Sequence, residues 1–219
     1  MKIKTKDLLL IFFIFLPLVI HLVSLNYLPN SVPMHYGFNG EVDRWGSKFE
    51  MLIVPILGII GGMGCFIYTK CATKKLKNNL KAFNATTFVI ALTFNILTIA
   101  FLITSFNKTT NINETISNKL IFSSIGFGFI ILGNYMPKAK KNHYFGVRTK
   151  LTLSDDELWF KTQRFSGKLF VGFGLILTII SFFLPTSILL WFIMSSTLII
   201  TVLSCGYPRK LLNERKKLK

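Results

Sequence analysis

The side chains able to do chemistry in this chain are few. The densest cluster with ligand character is His35, Glu41 and Asp43, between Leu28 and Lys48. Imidazole and carboxylates are ordinary metal ligands, but this spacing matches no established metal motif, and a turn-rich stretch collects such residues on its own account. Hydrolysis in or near lipid needs a nucleophile or a metal with an oriented base. The chain has no HExxH, no GxSxG and no pair of acids inside an apolar run, and Cys65 and Cys205 lack a credible base. The expectation is a protein that is not an enzyme and holds neither metal nor cofactor. His21 and Asn95, inside apolar runs, read as neutral hydrogen-bonding residues, Asn95 across helices.

The elements that carry these residues are set by composition. Of 219 residues 51% are hydrophobic and only 16% charged, too little polar surface for a water-soluble globule with this many apolar runs. A helix crossing hydrocarbon needs about 20 mostly apolar residues. Six segments qualify: Leu8 to Leu25, Met51 to Tyr68, Phe83 to Thr104, Leu120 to Met136, Leu169 to Leu184 and Ser187 to Cys205. The fold class is therefore an all-α membrane protein with six transmembrane helices. Residues 1–104 make a three-span half with an ordered outer loop at 26–48, and residues 105–219 a second three-span half with a polar inner loop at 133–167.

Orientation follows from the basic residues, which are retained on the cytoplasmic side. With both termini inside, that side holds three Lys before Asp7, five between Lys70 and Lys81, eight basic residues between Lys138 and Lys168, and six after Tyr207, leaving four outside. The four outer acids cancel the four outer cations, so the whole net charge of +17 is cytoplasmic. Anionic inner-leaflet lipids account for such a face; no nucleic-acid motif is present, and no direct nucleic-acid partner is expected. All three cysteines lie within or near the inner ends of spans, which implies no disulfide framework. The first apolar run reads as an uncleaved span, and Pro208 to Lys219 as a short basic helix along the inner surface.

Two polar stretches stand out. In the outer one Pro29 and Pro33 stiffen the chain, Phe38, Asn39 and Gly40 offer a tight turn, and Tyr36, Phe38 and Trp45 supply an aromatic platform. The inner one runs from Gly133 to Gly167 and carries seven of the 26 basic residues and three of the nine acids. Pro137 stops the fourth helix. Ser154 and Glu157 fit a capping box that starts a helix rich in Trp159, Phe160 and Phe165, expected to lie at the membrane interface and lead into the fifth span. Gly58 and Gly62, one turn apart, permit close helix packing within the monomer. Asn-x-Thr occurs at Asn107 and Asn113 without implying modification.

These stretches resemble the two signatures of the SdpI family of bacterial membrane proteins. The outer resemblance rests on Leu28-Pro29, Val32-Pro33, His35, Gly40, Asp43 and Ser47-Lys48. The inner one rests on Gly133-Asn134, Met136-Pro137-Lys138, Asn142, Gly146-Val147-Arg148-Thr149, Thr152-Leu153, Trp159, Thr162, Arg164 and Gly167. Lys150-Leu151 stands where the family often has Pro-Trp, and Gln163 where it often has His. The resemblance implies a multi-pass protein of the bacterial plasma membrane giving immunity to a membrane-active peptide toxin outside, and holding a small repressor protein inside. Chemically, Gly146 suits a sharp turn, Arg148 can tie carbonyls at the end of the fourth helix or an acidic partner, and Asn134 and Asn142 can bond backbone beside it. Gly146, Asn134 and Thr149 read mainly as scaffold; for Arg148, Trp159 and Arg164 scaffold and partner contact weigh equally. The alternatives are an uncoupled small-solute transporter, since no carboxylate is expected at the midplane, and a membrane stress-response protein. Membrane lipids are partners under every reading.

Overall fold

Hydrocarbon offers no partner for backbone N–H and C=O groups, so each span must satisfy its own, as a helix. The computed structural model describes residues 4–37, 41–72, 79–106 and 111–217. Its elements in order are α1 (Thr5–Ser24), the hairpin strands β1 (Ser31–Tyr36) and β2 (Val42–Ser47), α2 (Ile53–Cys71), α3 (Leu80–Phe106), α4 (Asn111–Tyr135), α5 (Lys150–Ser154), α6 (Asp156–Ile180) and α7 (Thr186–Lys217). Short 3-10 turns at Glu50–Leu52 and Met136–Lys138 lead into α2 and out of α4. All the helices except α5 are long and apolar enough to cross a membrane, six in number. The chain is an all-α multi-pass membrane protein.

Small residues set the tightest contacts. α4 and α6 run antiparallel with glycines seven residues apart on each: a Cβ on Gly133 would lie 2.8 Å from the Gly167 carbonyl, and one on Gly126 2.7 Å from the Gly174 carbonyl. The two backbones therefore touch over about two turns. Gly58 receives the Phe94 ring of α3, and Gly62 receives Ile14 of α1, which is the intramolecular packing the spacing predicts. Asn95 donates from Nδ2 to the Phe13 carbonyl of α1 at 2.8 Å, joining helices as expected. Asp7 of α1 caps its own helix by accepting from the Lys4 N–H and pairs at 2.6 Å with Lys70 at the inner end of α2.

Three expectations change. The outer stretch is a β-hairpin, with Ser31 opposite Ser47 and Pro33 opposite Trp45; the prolines and the aromatic and β-branched residues suit an extended ribbon as well as a stiff loop. The inner helix does not start on a Ser154 and Glu157 capping box. Ser154 ends α5, and Asp155 caps α6, its carboxylate accepting from the N–H groups of Glu157 and Leu158 at 2.8 and 2.9 Å. An aspartate one residue along satisfies the same orphan donors. Last, no separate tail helix forms: α7 passes through Pro208 and spans 32 residues, about 48 Å at about 1.5 Å per residue, well beyond a hydrocarbon core of about 30 Å.

Candidate functional site

The inner stretch is a cap stapled by side chains. Where α4 ends, Ala139 turns extended and the indole Nε1 of Trp159 donates to its carbonyl at 2.8 Å. Asn79 brackets the next residue, its Oδ1 accepting from the Lys140 N–H at 2.9 Å and its Nδ2 donating to the Lys140 carbonyl at 3.2 Å. Gln163 does the same to Val147, accepting at 2.9 Å and donating at 3.0 Å. Between the two brackets, Asn142 accepts from the N–H groups of Tyr144 and Phe145 and donates to the Lys140 and Phe145 carbonyls.

Gly146 has φ +99°, and a Cβ there would run into the Gln163 amide. Glycine is required both by conformation and by space. Beyond it Thr149 caps α5 by accepting from the Thr152 N–H at 3.1 Å, and Thr152 donates back to the Val147 carbonyl at 3.0 Å. Trp159, Gln163, Thr152 and Thr162 are buried. Buried polar groups that find partners in this way make a loop rigid rather than a liability; among the described residues the Thr162 hydroxyl has none.

The signature residues thus sort themselves. Gly133, Asn142, Gly146, Thr149, Thr152 and Trp159 build the cap, and Pro137 packs against Gly167. Trp159 is inside, not at the membrane surface, because its N–H reaches Ala139. Arg148 ties the His143 carbonyl at 2.7 Å, within the loop and not at the end of the fourth helix, and is otherwise exposed. Asn134 is exposed and accepts from Lys138 at 3.5 Å, away from the loop backbone. Arg164 lies exposed over the Phe160 ring. Asn79 and Arg215 escape a sequence reading because a lone amide or a tail arginine carries no pattern, and Gln163 is marked there only by standing where the family often has His. Arg215 of α7 pairs with Asp155 at 2.8 Å and with Glu157 at 2.5 Å. The N–H of Leu158, and then the Arg215 guanidinium, hold the Asp155 carboxyl below the usual carboxylate range.

The outer cap is held differently. Val32 is fully buried in a cluster with Leu28, Met51 and Leu102. Lys48 reaches back to the chain leaving α1, donating to the carbonyl of the C-cap Leu25 at 2.9 Å and to that of Leu28 at 3.4 Å, a favourable place for a cation. His21, buried, meets the Lys48 carbonyl at 3.3 Å. Glu50 ties Arg44 and the Ser47 N–H. Pro29 and Pro33 flank or enter β1, and Asp43 pairs with His35 at 2.6 Å in solvent; among the described residues no three His, Cys, Asp or Glu side chains are grouped as a metal would need. Tyr36 turns towards Phe101 of α3, 6.4 Å between rings, so among the described residues the outward aromatics of this cap are Trp45, Tyr27 and Phe49. Phe38 and Gly40, with the turn at 38–40, and Asn107 lie outside the described residues.

Comparison with known proteins finds two matches that overlap these stretches and run into the neighbouring spans. Residues 138–207 match the model of the SdpI/YfhL protein family, and residues 12–59 match a domain of unknown function, DUF1648. The immunity protein SdpI of Bacillus subtilis is 28% identical over 213 residues, covering 96% of this chain and 99% of that protein. An uncharacterized protein of Archaeoglobus fulgidus is 43% identical over 49 residues, 22% of this chain and 27% of its own. No solved structure matches.

Proposed function

We propose that this chain, a member of the SdpI family, is an immunity and signalling protein of the bacterial cell membrane that answers a membrane-active peptide at its outer cap and reports through its inner one. The reading is carried by one observation: the two stretches that resemble the family signatures are the two side-chain-stapled caps at opposite ends of one bundle. The outer cap carries little net charge, three acids against Arg44 and Lys48, and offers the exposed rings of Trp45, Tyr27 and Phe49, suited to an amphipathic ligand at the bilayer surface. The inner cap offers Arg148, Arg164, Lys150 and the Tyr144 ring at its surface, suited to an acidic face of a small repressor held at the membrane.

The test is expression in a strain sensitive to membrane-active peptides, followed by challenge with a panel of them. Protection against at least one peptide, reduced by Trp45→Ala, is the expected result; killing unchanged across the panel overturns immunity. Recruitment of a repressor is tested separately, by membrane fractionation with and without peptide, with Arg148→Ala and Arg164→Ala as the inner variants.

A further inference from the structure

A large cavity among the described residues belongs to neither cap. It is a cleft of about 1110 Å³ between α1 and α4, floored by α3 and closed on one side by Val171 of α6, larger than the range of about 300–1,000 Å³ usual for small-molecule pockets. Its lining changes character with depth. At the inner end stand Lys6, Lys81, Asn84 and Asn134; further in, Leu9, Phe13, Phe88 and Phe127 leave large apolar surfaces exposed to it. Seven residues separate Lys6 from Phe13 and Lys81 from Phe88, about 10 Å of helix in each case. The cleft is a polar mouth on an apolar trough.

The mouth is positive. Asp7 is the acid that lines it, but its carboxylate is buried and occupied by Lys70 at 2.6 Å and by the Lys4 N–H at 2.8 Å. Lys6 and Lys81 are exposed and make no ion pair among the described residues. Two cations with amide donors beside them fit a phosphodiester, which accepts from ammonium and amide N–H alike. We infer that this cleft binds one anionic phospholipid of the inner leaflet, its phosphate between Lys6 and Lys81 and an acyl chain along Phe13, Phe88 and Phe127. Such a lipid would fill the gap that α1 leaves against α4, and so brace the first span against the helix that leads into the inner cap.

The experiment uses the full chain in bilayers of mixed phosphatidylglycerol and phosphatidylcholine. Lipid retained on gentle detergent extraction is read by native mass spectrometry. The chain should keep phosphatidylglycerol in preference to phosphatidylcholine. In Lys6→Gln/Lys81→Gln the preference should fall roughly thirtyfold, as expected for two juxtamembrane cations at about 1 kcal/mol each, while Lys216→Gln/Lys217→Gln, an equal loss of inner-face charge, should leave it unchanged. A second arm leaves the cations intact: in Phe88→Trp, brominated phosphatidylglycerol should quench the added fluorescence at a lower mole fraction than brominated phosphatidylcholine. No preference in the native chain, a preference that survives the first pair, equal loss in the second pair, or equal quenching by both lipids would each overturn the site.

Discussion

The outer and inner caps solve one problem, fixing a polar segment over a helical bundle, with opposite chemistry. The outer hairpin is nailed down by apolar burial, Val32 among Leu28, Met51 and Leu102, with a single lysine plugging the end of α1. The inner loop has little apolar material of its own and is held by amide and indole hydrogen bonds to its backbone at Ala139, Lys140 and Val147. Apolar anchoring leaves aromatic rings at the outer surface, whereas hydrogen-bond anchoring uses polar side chains inwardly and leaves the cations facing the cytoplasm. Each cap therefore presents the surface that its own construction did not consume.

That contrast breaks or sharpens under substitution. The largest effect is expected at the helix crossing that carries the inner cap. Gly174→Val sets side-chain atoms against the Gly126 carbonyl and Ile130, and should cost at least the ~1–3 kcal/mol of core overpacking, read as a lower unfolding temperature in detergent and poor accumulation in the membrane. Next is Gly146→Ala, which meets both the positive φ and the Gln163 amide; about 1–2 kcal/mol and faster proteolysis of the inner loop in inside-out vesicles are expected. Trp159→Phe keeps the packing but leaves the Ala139 carbonyl without its donor, about 1–3 kcal/mol, again opening only the inner loop. Should either inner variant also expose the outer hairpin to protease in intact cells, the caps are coupled and the contrast fails.

Lys48→Met tests the other side. It removes the donor to the Leu25 and Leu28 carbonyls while keeping the stem, so about 0.3–1 kcal/mol and loosening of the hairpin alone are expected. The smallest effect concerns the tail. Because the Asp155 carboxyl is held below its ordinary value of 3.8, its contribution is fully present above that value and fades as the pH falls through the lowered one. Release of the α7 tail, followed by proteolysis of reconstituted protein, should therefore rise with acidification at the bottom of that range, and Arg215→Ala should flatten the profile.

Much of the architecture is legible in the sequence, because lipid leaves so few choices: apolar length gives the spans. Pro137 marks the end of α4, and Gly58, Gly62 and Asn95 make the contacts their positions suggest. Helix starts were less legible, since Ser154 and Asp155 are both competent caps and only the fold of α5 decides between them. Trp159 looked interfacial by type, and became interior because one carbonyl lay within reach of its indole. The tail looked separate because proline usually ends a helix; at Pro208 the helix continues, and carries Arg215 to the acids at the start of α6.

What the chain determined alone was everything governed by local hydrophobicity and charge: six span-length apolar helices, and two polar stretches too rich in turn residues to be linkers. What only the assembled bundle decided was which of those polar residues face inward. Asn79 and Lys140 are 61 residues apart, and Gln163 and Val147 sixteen. A hydrogen bond between such residues has no sequence period to announce it; it exists because α3 packs along α4, which brings Asn79 to Lys140, and because the glycine-lined crossing of α4 and α6 brings Gln163 to the loop.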